Sequence, residues 1–472
     1  MIRKTKIIAT IGPSTSSKEK LTALMEKGVN VCRLNFSHLP HEKAKEIISN
    51  IKEVNLKLHV HTAILADLQG PKIRVGDLKK PLKLKKGSKI FFCTKNKKGT
   101  VYINYKNFAK DVKPKDTVLL DDGKIKLEVV KTNKKDTVAL KVVFGGDLYS
   151  RKGVNLPNTT ISLPCLTEKD RTDLEFILTQ KIEWVGLSFV RRAKDVMDLK
   201  KIINSGNSLH KVVAKIEKPE AIKNINSIIE ASDAIMVARG DLGVEVPPQK
   251  VPVYQKMIVN KCISKSKPVI IATQMLESMT DHPTATRAEV NDVANSVIDG
   301  SDALMLSGET SIGKHPLKAV DTMRNIIRDI ESSEHSISKN TEDKEIKDEG
   351  RFLSNALCLN AAQIAKQTKA KAIIAITYSG FNTMKVSSFR PQAFIYAFTN
   401  NHSILNTLSL VWGVQGFYYE GASTTSQTIK ETKEILKKQK HLKKGDVVVN
   451  IASMPARERG VTNMMKISKI KK

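Results

Sequence analysis

KVVAKIEKPEAIKNINSIIEASDAIMVARGDL, residues 211–242, sets the fold of the chain around it. It opens as a short apolar run ending in Lys215 and Glu217, passes through a helix-length segment, and closes with a second apolar run ending in Arg239, Gly240 and Asp241. A strand, helix, strand unit of this kind belongs to a parallel α/β architecture, in which the loops after the carboxyl ends of the strands carry the chemistry. Lys215, Glu217 and Asp241 would then lie close together. Two carboxylates beside one ammonium suit a hard divalent ion next to an anionic substrate, because Mg²⁺ is usually held by one or two carboxylates, with waters and substrate phosphate oxygens completing its shell. A structural salt bridge at a strand end would leave the same pattern, so the other strand ends have to decide.

Outward from this unit the alternation repeats. Before it come KTKIIATIG (4–12), a helix from about Ser17 to Lys27, VNVCRLNFSH (29–38), a helix from about Pro40 to Val54, HTAILADLQ (61–69) and, later, WVGLSFV (184–190). After it come PVIIATQM (268–275) and ALMLSGE (303–309). Between Gly70 and Pro164 the texture changes to short β-type runs separated by turn residues, such as KLKKGSKIFFC (83–93), DTVLLDDGKIKLEVV (116–130) and TVALKVVFGGDL (137–148). Three strands before this insertion and five after it make eight, the number that closes a (β/α)8 TIM barrel. The expected fold is α/β: a barrel over residues 1–69 and 165–340, an inserted small β-barrel domain over 70–164, and a C-terminal open-sheet α/β domain over 350–472. The strands of that last domain are AIIAITYSG (372–380), AFIYAFTN (393–400), VQGFYY (414–419), DVVVNIA (446–452) and NMMKISKI (463–470). The polar segment 331–350, ESSEHSISKNTEDKEIKDEG, reads as a solvated linker or helix edge.

Composition narrows the function classes. The chain has 472 residues and 40% hydrophobic content, with no run of 18 apolar residues, and its N-terminus lacks the pattern of a signal peptide. A cytoplasmic location and no membrane partner are the expectation. The five cysteines, Cys32, Cys93, Cys165, Cys262 and Cys358, are scattered without a C-x-x-C pair and read as reduced, mostly buried thiols. A net charge of +31 would draw nucleic acid non-specifically at low salt. The lysines, however, are spread over solvated stretches such as KNKKGT (95–100) and ILKKQKHLKK (435–444), and aromatics make up only 5%, so no specific nucleic-acid partner is expected.

The remaining strand ends supply more polar groups. The second strand ends in Arg33, Asn35, Ser37 and His38; the third in Asp67, followed by Gln69, Gly70, Pro71, Lys72, Ile73 and Arg74. The seventh ends in Thr273 and Gln274, and the eighth in Ser307, Gly308 and Glu309. Arginine offers a rigid bidentate fork for phosphate, and the whole set suits phosphoryl transfer, where catalysis is mainly positioning and charge neutralisation.

These residues carry a family resemblance over essentially the whole chain. TKIIATIGPS (5–14), NVCRLNFSH (30–38), LADLQGPKIR (65–74), KGVNLP (152–157), LTEKD (166–170), AKIEKPEA (214–221), IMVARGDLGVE (235–245), ATQMLESM (272–279), the run from Pro283 to Pro316 and the closing GVTN (460–463) resemble pyruvate kinases, in the right order. The resemblance implies Mg²⁺-dependent phosphoryl transfer from phosphoenolpyruvate to ADP, giving pyruvate and ATP in glycolysis, with Mn²⁺ an alternative ion. It places Mg²⁺ on Glu217 and Asp241, and the substrate carboxylate against the backbone of Ala238, Arg239 and Gly240. Lys215 would stabilise the phosphoryl group in flight and the enolate, and Arg33 would clamp the phosphate. Thr273 would help protonate the enolate through water, supported by Ser307 and Glu309. Arg74 and Lys169, with Asn35 and His38, would face the nucleotide. The inserted domain would act as a lid, and the assembly would be a homotetramer.

One departure concerns the monovalent ion. Potassium-requiring members resemble T-K-G-P-E-I-R-T at the third strand, whereas this chain has Leu68, Gln69, Gly70, Pro71, Lys72, Ile73, Arg74 and Val75. Asn35, Ser37, Asp67 and the Leu68 backbone remain as candidate K⁺ ligands, but an ammonium at Lys72 can replace the ion's charge, so activity without K⁺ is expected. GETSIGKH (308–315) is one residue short of a P-loop, has His315 at the Mg²⁺-binding position, and is dismissed as one. In the last domain Thr377, Ser379, Gly380, Asn382 and Thr383 sit between a strand and a helix start. Such a turn binds phosphate well, and the resemblance implies an allosteric effector there, a sugar phosphate or AMP. Plain helix capping would use the same residue types. Two rival functions stand: another Mg²⁺ barrel enzyme acting on phosphoenolpyruvate or pyruvate without ADP, and a catalytically silent basic protein that binds nucleic acid.

Overall fold

The computed structural model describes residues 3–205, 209–333, 351–422, 424–454 and 461–471. Eight strands close a parallel barrel in chain order: Lys6–Ile11, Val31–Asn35, Ala63–Asp67, Trp184–Leu187, Lys211–Ile216, Ala234–Ala238, Val269–Ala272 and Ala303–Leu306. Three of them precede the inserted segment and five follow it, as expected. Helices cover their outer side, so both faces are buried and the strands are nearly continuous apolar runs. Alternate residues point inward: Ile8, Val31, Leu65, Trp184, Val213, Met236, Ile270 and Met305 fill the barrel, joined by Leu410 from the last domain. Their neighbours Ile7, Cys32, Ile64, Val212, Ile235 and Ile271 pack outward against the helices.

Local chemistry fixes the helix starts. Thr167 and Asp170 form a reciprocal capping box for the helix Glu168–Leu178, and Thr286 with Glu289 does the same for Arg287–Ile298. The helix-length segment after the fifth strand is two short helices, Pro219–Lys223 and Ile225–Ala231, meeting at Asn224.

The inserted segment carries its own core, including Phe92, Phe108, Leu127 and Leu140. Its main sheet has six strands, with Val154–Asn155 at one edge and Val101–Tyr102 at the other. Single bridges pair Arg74 with Gly153 and Val75 with Ile103, so residues 74–75 lie between the two edges and carry the pairing round into a barrel-like ring. The last domain is an open five-stranded sheet: Val414–Tyr418, Phe394–Thr399, Ala372–Ile376 and Val447–Ala452 run parallel, and Met464–Lys469 pairs antiparallel at the edge. The helix Pro316–Ser332 leads towards the linker, of which residues 334–350 lie outside the described residues, as do residues 455–460, which include the first residue of the closing GVTN (460–463).

All five cysteines are free and buried. Among the described residues no helix is long and apolar enough to cross a membrane.

Candidate active site

The carboxyl ends of the third, fourth and fifth strands converge on one ammonium. Lys215 Nζ donates to Ser188 Oγ at 2.7 Å and pairs with Glu217 Oε1 at 3.0 Å and Asp67 Oδ1 at 3.2 Å. Burial alone would lower the Lys215 pKa, but Asp67 and Glu217 outweigh it and hold the group above its ordinary value, so it is an ammonium at neutral pH. Arg33 reaches the other oxygen of Asp67, with Nε at 2.8 Å and Nη2 at 2.7 Å, while its Nη1 donates to Thr10 Oγ1 at 3.0 Å. Asp67 is 1% exposed; burial pushes its carboxyl up, but Lys215 and Arg33 bring it below the ordinary range. Thr10 and Ser188, which the sequence reading did not single out, are therefore part of the mouth. Both are lone hydroxyl residues at strand ends, and that position was the available signal.

Glu217 is the contrasting carboxylate. Burial pushes its pKa up, Lys215 opposes this, and Asp241 adds repulsion from the next strand end. Its Oε2 accepts the Phe189 N–H at 2.9 Å. Asp241 lies in the first turn of the helix Arg239–Glu245 and lines a cleft with Lys72, Asp122, Asn155, Phe189 and Lys218, between barrel and inserted domain. Two carboxylates at adjoining strand ends, one of them pushed up by burial and by the other's charge, form a pair short of positive charge. No group of three or more His, Cys, Asp or Glu side chains able to hold a metal occurs among the described residues. A pair of carboxylates suits a divalent ion that completes its shell with water and substrate oxygens.

Beyond Asp241, Thr273 and Gln274 both have positive φ, +69° and +54°, a costly conformation for non-glycine residues. Thr273 Oγ1 accepts the Gly240 N–H at 2.6 Å and donates to the Ala272 carbonyl at 2.6 Å. The Arg239 guanidinium turns away to Asp292 and the Thr273 carbonyl, at 2.6 and 2.7 Å, so what it can offer a substrate here is backbone. At the eighth strand, Glu309 accepts the N–H groups of Ser307 and Leu276 at 2.7 and 3.0 Å; burial pushes its carboxyl up against these bonds. The P-loop lookalike is a barrel loop: Gly313 is packed so closely on Glu309 that a Cβ would sit 2.4 Å from its carbonyl oxygen.

The nucleotide candidates are less gathered. Lys169 Nζ is held by the Phe36 carbonyl and Asp173, each at 2.6 Å, and Arg74 Nη1 donates to the Arg151 carbonyl at 3.0 Å. Asn35 Oδ1 accepts the Ser37 N–H at 3.2 Å, and His38 is exposed. Inserted domain and barrel meet through Asn155, which donates to Glu245 at 2.8 Å, while Lys218 pairs with the same oxygen at 2.6 Å.

In the last domain Gly380, at φ +81°, precedes the helix Phe381–Ser388, and its N–H donates to Thr377 Oγ1 at 3.0 Å. Ser379 is exposed, but Thr383 is fully buried and Asn382 is spent on the Ile376 carbonyl at 3.0 Å. Of the expected effector side chains, those two point away from the turn's surface, because the helix's first turn packs them into the domain.

Comparison with known proteins accounts for both halves of the chain. Residues 2–320 match the family model described as pyruvate kinase, barrel domain, and residues 355–468 the one described as pyruvate kinase, alpha/beta domain. A pyruvate kinase of Geobacillus stearothermophilus is 41% identical over 476 residues, covering 99% of this chain and 80% of the relative. One of Staphylococcus aureus (strain MRSA252) is 41% identical over 471 residues with the same coverage. The crystal structure of a pyruvate kinase from Cryptosporidium parvum superposes with a TM-score of 0.92 at 34% identity, covering 99% of this chain and 96% of that one. The chain belongs to the pyruvate kinase family, enzymes that need a divalent metal to transfer a phosphoryl group from phosphoenolpyruvate to ADP.

Proposed function

We propose that the mouth around Lys215 is where this transfer takes place, with the parts divided as follows. Glu217 and Asp241 hold the divalent ion, taken as Mg²⁺, with Mn²⁺ able to replace it. When bound, that ion neutralises charge on the phosphoryl and enolate oxygens. Arg33, fixed by Thr10 and Asp67, clamps the phosphate of phosphoenolpyruvate. Lys215, kept protonated by its two carboxylates, stabilises the phosphoryl group in flight and the enolate left behind. The backbone of Ala238, Arg239 and Gly240 receives the substrate carboxylate. Thr273, whose hydroxyl is already oriented by Ala272, directs a proton to the enolate through water. Ser307 and Glu309 support that relay.

The body formed by residues 70–164 closes as a lid over the barrel of 1–69 and 165–340, latched by Asn155, excluding water during transfer. Arg74, Lys169, Asn35 and His38 face the nucleotide, Lys169 after exchanging its present partners for phosphate. The body 350–472 carries the effector turn, for a sugar phosphate or AMP, with Ser379 as its accessible hydroxyl. The enzyme works in the cytoplasm as a homotetramer.

K⁺ is not required. Both Asp67 oxygens already face cations of the chain, Asn35 Oδ1 is engaged by Ser37, and Lys72 lines the cleft beside Asp241. The observation that carries the whole reading is the single ammonium shared by Asp67, Glu217 and Ser188. Its test is pyruvate formation from phosphoenolpyruvate and ADP with Mg²⁺, in K⁺-free buffer and then with K⁺, beside Lys215→Met. Turnover without K⁺ that collapses in the variant is expected. An absolute K⁺ requirement would remove the Lys72 argument, and full activity in Lys215→Met would remove the site assignment.

A further inference from the structure

Both crossings between the barrel and the inserted domain pass one short loop, Ser188 to Arg192, at the end of the fourth strand. The Ser188 hydroxyl, 1% exposed, accepts from Lys215 Nζ at 2.7 Å and donates to the Leu68 carbonyl at 2.7 Å, where the chain leaves the barrel. The Ser188 carbonyl accepts from Cys165 Sγ at 3.0 Å, where the chain has returned. Arg191 holds that returning segment too, donating to the carbonyls of Ile161 and Leu163 at 2.5 and 2.8 Å. At the outgoing hinge Gly70, with φ +70°, packs so tightly that a Cβ would come within 2.9 Å of Ser188 Cβ and 2.6 Å of the Phe189 ring.

From this we infer that Ser188 is a positioning residue which ties the Lys215 ammonium to the lid's hinge. A serine hydroxyl has one proton and two lone pairs. With its proton committed to Leu68, its lone pairs face the ammonium, and the two bonds orient each other. Among the three oxygens around Lys215, Ser188 Oγ is the nearest and the only neutral one. Asp67 also serves Arg33, and Glu217, in the role proposed for it, would turn to the divalent ion. Ser188 keeps its charge throughout, so it fixes where the ammonium stands. A shift of the Leu68–Gly70 peptide as the lid swings is passed to Lys215 through that one hydroxyl.

The inference rests on the role given to Lys215, and its test keeps the two apart. Ser188→Cys keeps the side chain's connectivity but exchanges a good hydrogen-bonding hydroxyl for a larger, weak thiol, whereas Ser188→Thr keeps the hydroxyl and adds a methyl group, so both variants enlarge the side chain and only one loses the bond. A displacement of the order of 1 Å costs up to about a hundredfold in rate. Ser188→Cys should therefore lower kcat by about tenfold or more, with KM for phosphoenolpyruvate and for ADP within about threefold of the parent. Ser188→Thr should return kcat to within about threefold of the parent. Independently of turnover, deuterium uptake by the metal-free protein over residues 68–74 should quicken by about tenfold in Ser188→Cys, since a hinge bond is lost. The inference is overturned by a Ser188→Cys enzyme of near-parental kcat, by equal losses in the Cys and Thr variants, or by unchanged uptake at the hinge. Lys215→Met, assayed alongside, separates the cases: full activity there would overturn the reading of the site itself, whereas an inactive Lys215→Met beside an unaffected Ser188→Cys would overturn only the tether.

Discussion

Arg390→Met offers a quantitative check on how the last domain is fastened to the barrel. Arg390 and Asp302 are 3% and 4% exposed at the side chain and pair at 2.8 Å between the last domain and the base of the eighth strand. The guanidinium also donates to the Gly300 carbonyl at 2.8 Å and stacks 5.0 Å from the Trp412 ring. Asp302 in turn accepts the N–H of Val269 at 3.1 Å and of Trp412 at 3.0 Å. Removing the cation leaves a buried carboxylate with two neutral donors, and breaking such a pair typically costs about 3–5 kcal/mol. An upper bound follows from escape by proton uptake. Protonating an ordinary aspartate, of pKa about 3.9, at pH 7 costs about 4 kcal/mol, and about 1.4 kcal/mol less for each pH unit lower. The loss should thus be about 3–4 kcal/mol at pH 7 and shrink as the pH falls towards 5. With Trp184→Phe as background, Trp412 is the single tryptophan and reports on this interface. A urea titration should show its transition moved down by roughly 1 M or more. Adding Asp302→Asn should recover part of the loss, since the amide oxygen satisfies one backbone donor while its nitrogen faces the other. A loss below about 1 kcal/mol at pH 7, or one that does not change with pH, would refute the argument that an uncompensated buried charge sets the cost.

Three further outcomes are expected. Glu183 is buried, its carboxyl accepting the Ile64 N–H and the Asn406 amide, each at 2.8 Å, and burial raises its pKa despite those bonds. The folded state therefore holds that proton more tightly, and the resulting penalty is absent below the unfolded value near 4.3 and complete above the folded one. Parent Tm minus Glu183→Gln Tm should rise as pH falls from 7 through that window, and parallel curves would contradict it. A Cβ at Gly240 would stand 3.3 Å from Thr273 Oγ1, so Gly240→Ala should displace that hydroxyl and lower kcat by about tenfold or more; parental kcat in steady-state assays would contradict it. Asn155→Ala removes the latch to Glu245, worth about 1 kcal/mol, so KM for ADP should rise roughly fivefold, and an unchanged KM would argue against a lid held there.

How much of this was legible in the sequence depended on whether a local pattern existed. The eight barrel strands are buried on both faces, so each is an apolar run, and the polar residue that ends the run marks the mouth; Lys215, Glu217, Asp67 and Arg33 were found that way. Ser188 ends such a run as well, and that position was its only signal; its role shows once its partners, Leu68 and Lys215, are known to be adjacent. Side-chain direction was hidden for the same reason. The Arg239 guanidinium turns to Asp292, Lys169 is held by Asp173, and Thr383 is packed inward, each through contacts distant in sequence or set by a helix's first turn. The inserted domain was expected as a small β-barrel, but not that residues 74–75 close its ring with single bridges, which are too short to leave a strand pattern. Leu410, which joins the barrel's inner layer from the last domain, could be placed only by the docking of two folded bodies.

The charges at the mouth are arranged unevenly, and the unevenness argues for where each ligand goes. Among the groups that act on Lys215, three carboxylates, Asp67, Glu217 and Asp241, stand against Arg33 and Lys215 itself; the cleft beside Asp241 adds Lys72, and Lys218, which is paired with Glu245. Asp67 has both cations and ends below the ordinary aspartate range, while Glu217 shares Lys215 with Asp67, meets Asp241, and ends above the ordinary glutamate range. Glu217 is therefore the least compensated carboxylate of the set, on the side of the fifth strand, and Asp67 the best compensated, on the side of the second and third. A cation entering the mouth lowers its energy most at Glu217 and Asp241, and an anion is repelled least beside Arg33. Lys215, rooted in the fifth strand and reaching back to Asp67, stands on the boundary between the two sides. On the assignment proposed above, the phosphoryl group passing from phosphoenolpyruvate at Arg33 to the nucleotide would cross that boundary, so the position of this ammonium as well as its charge would bear on the rate.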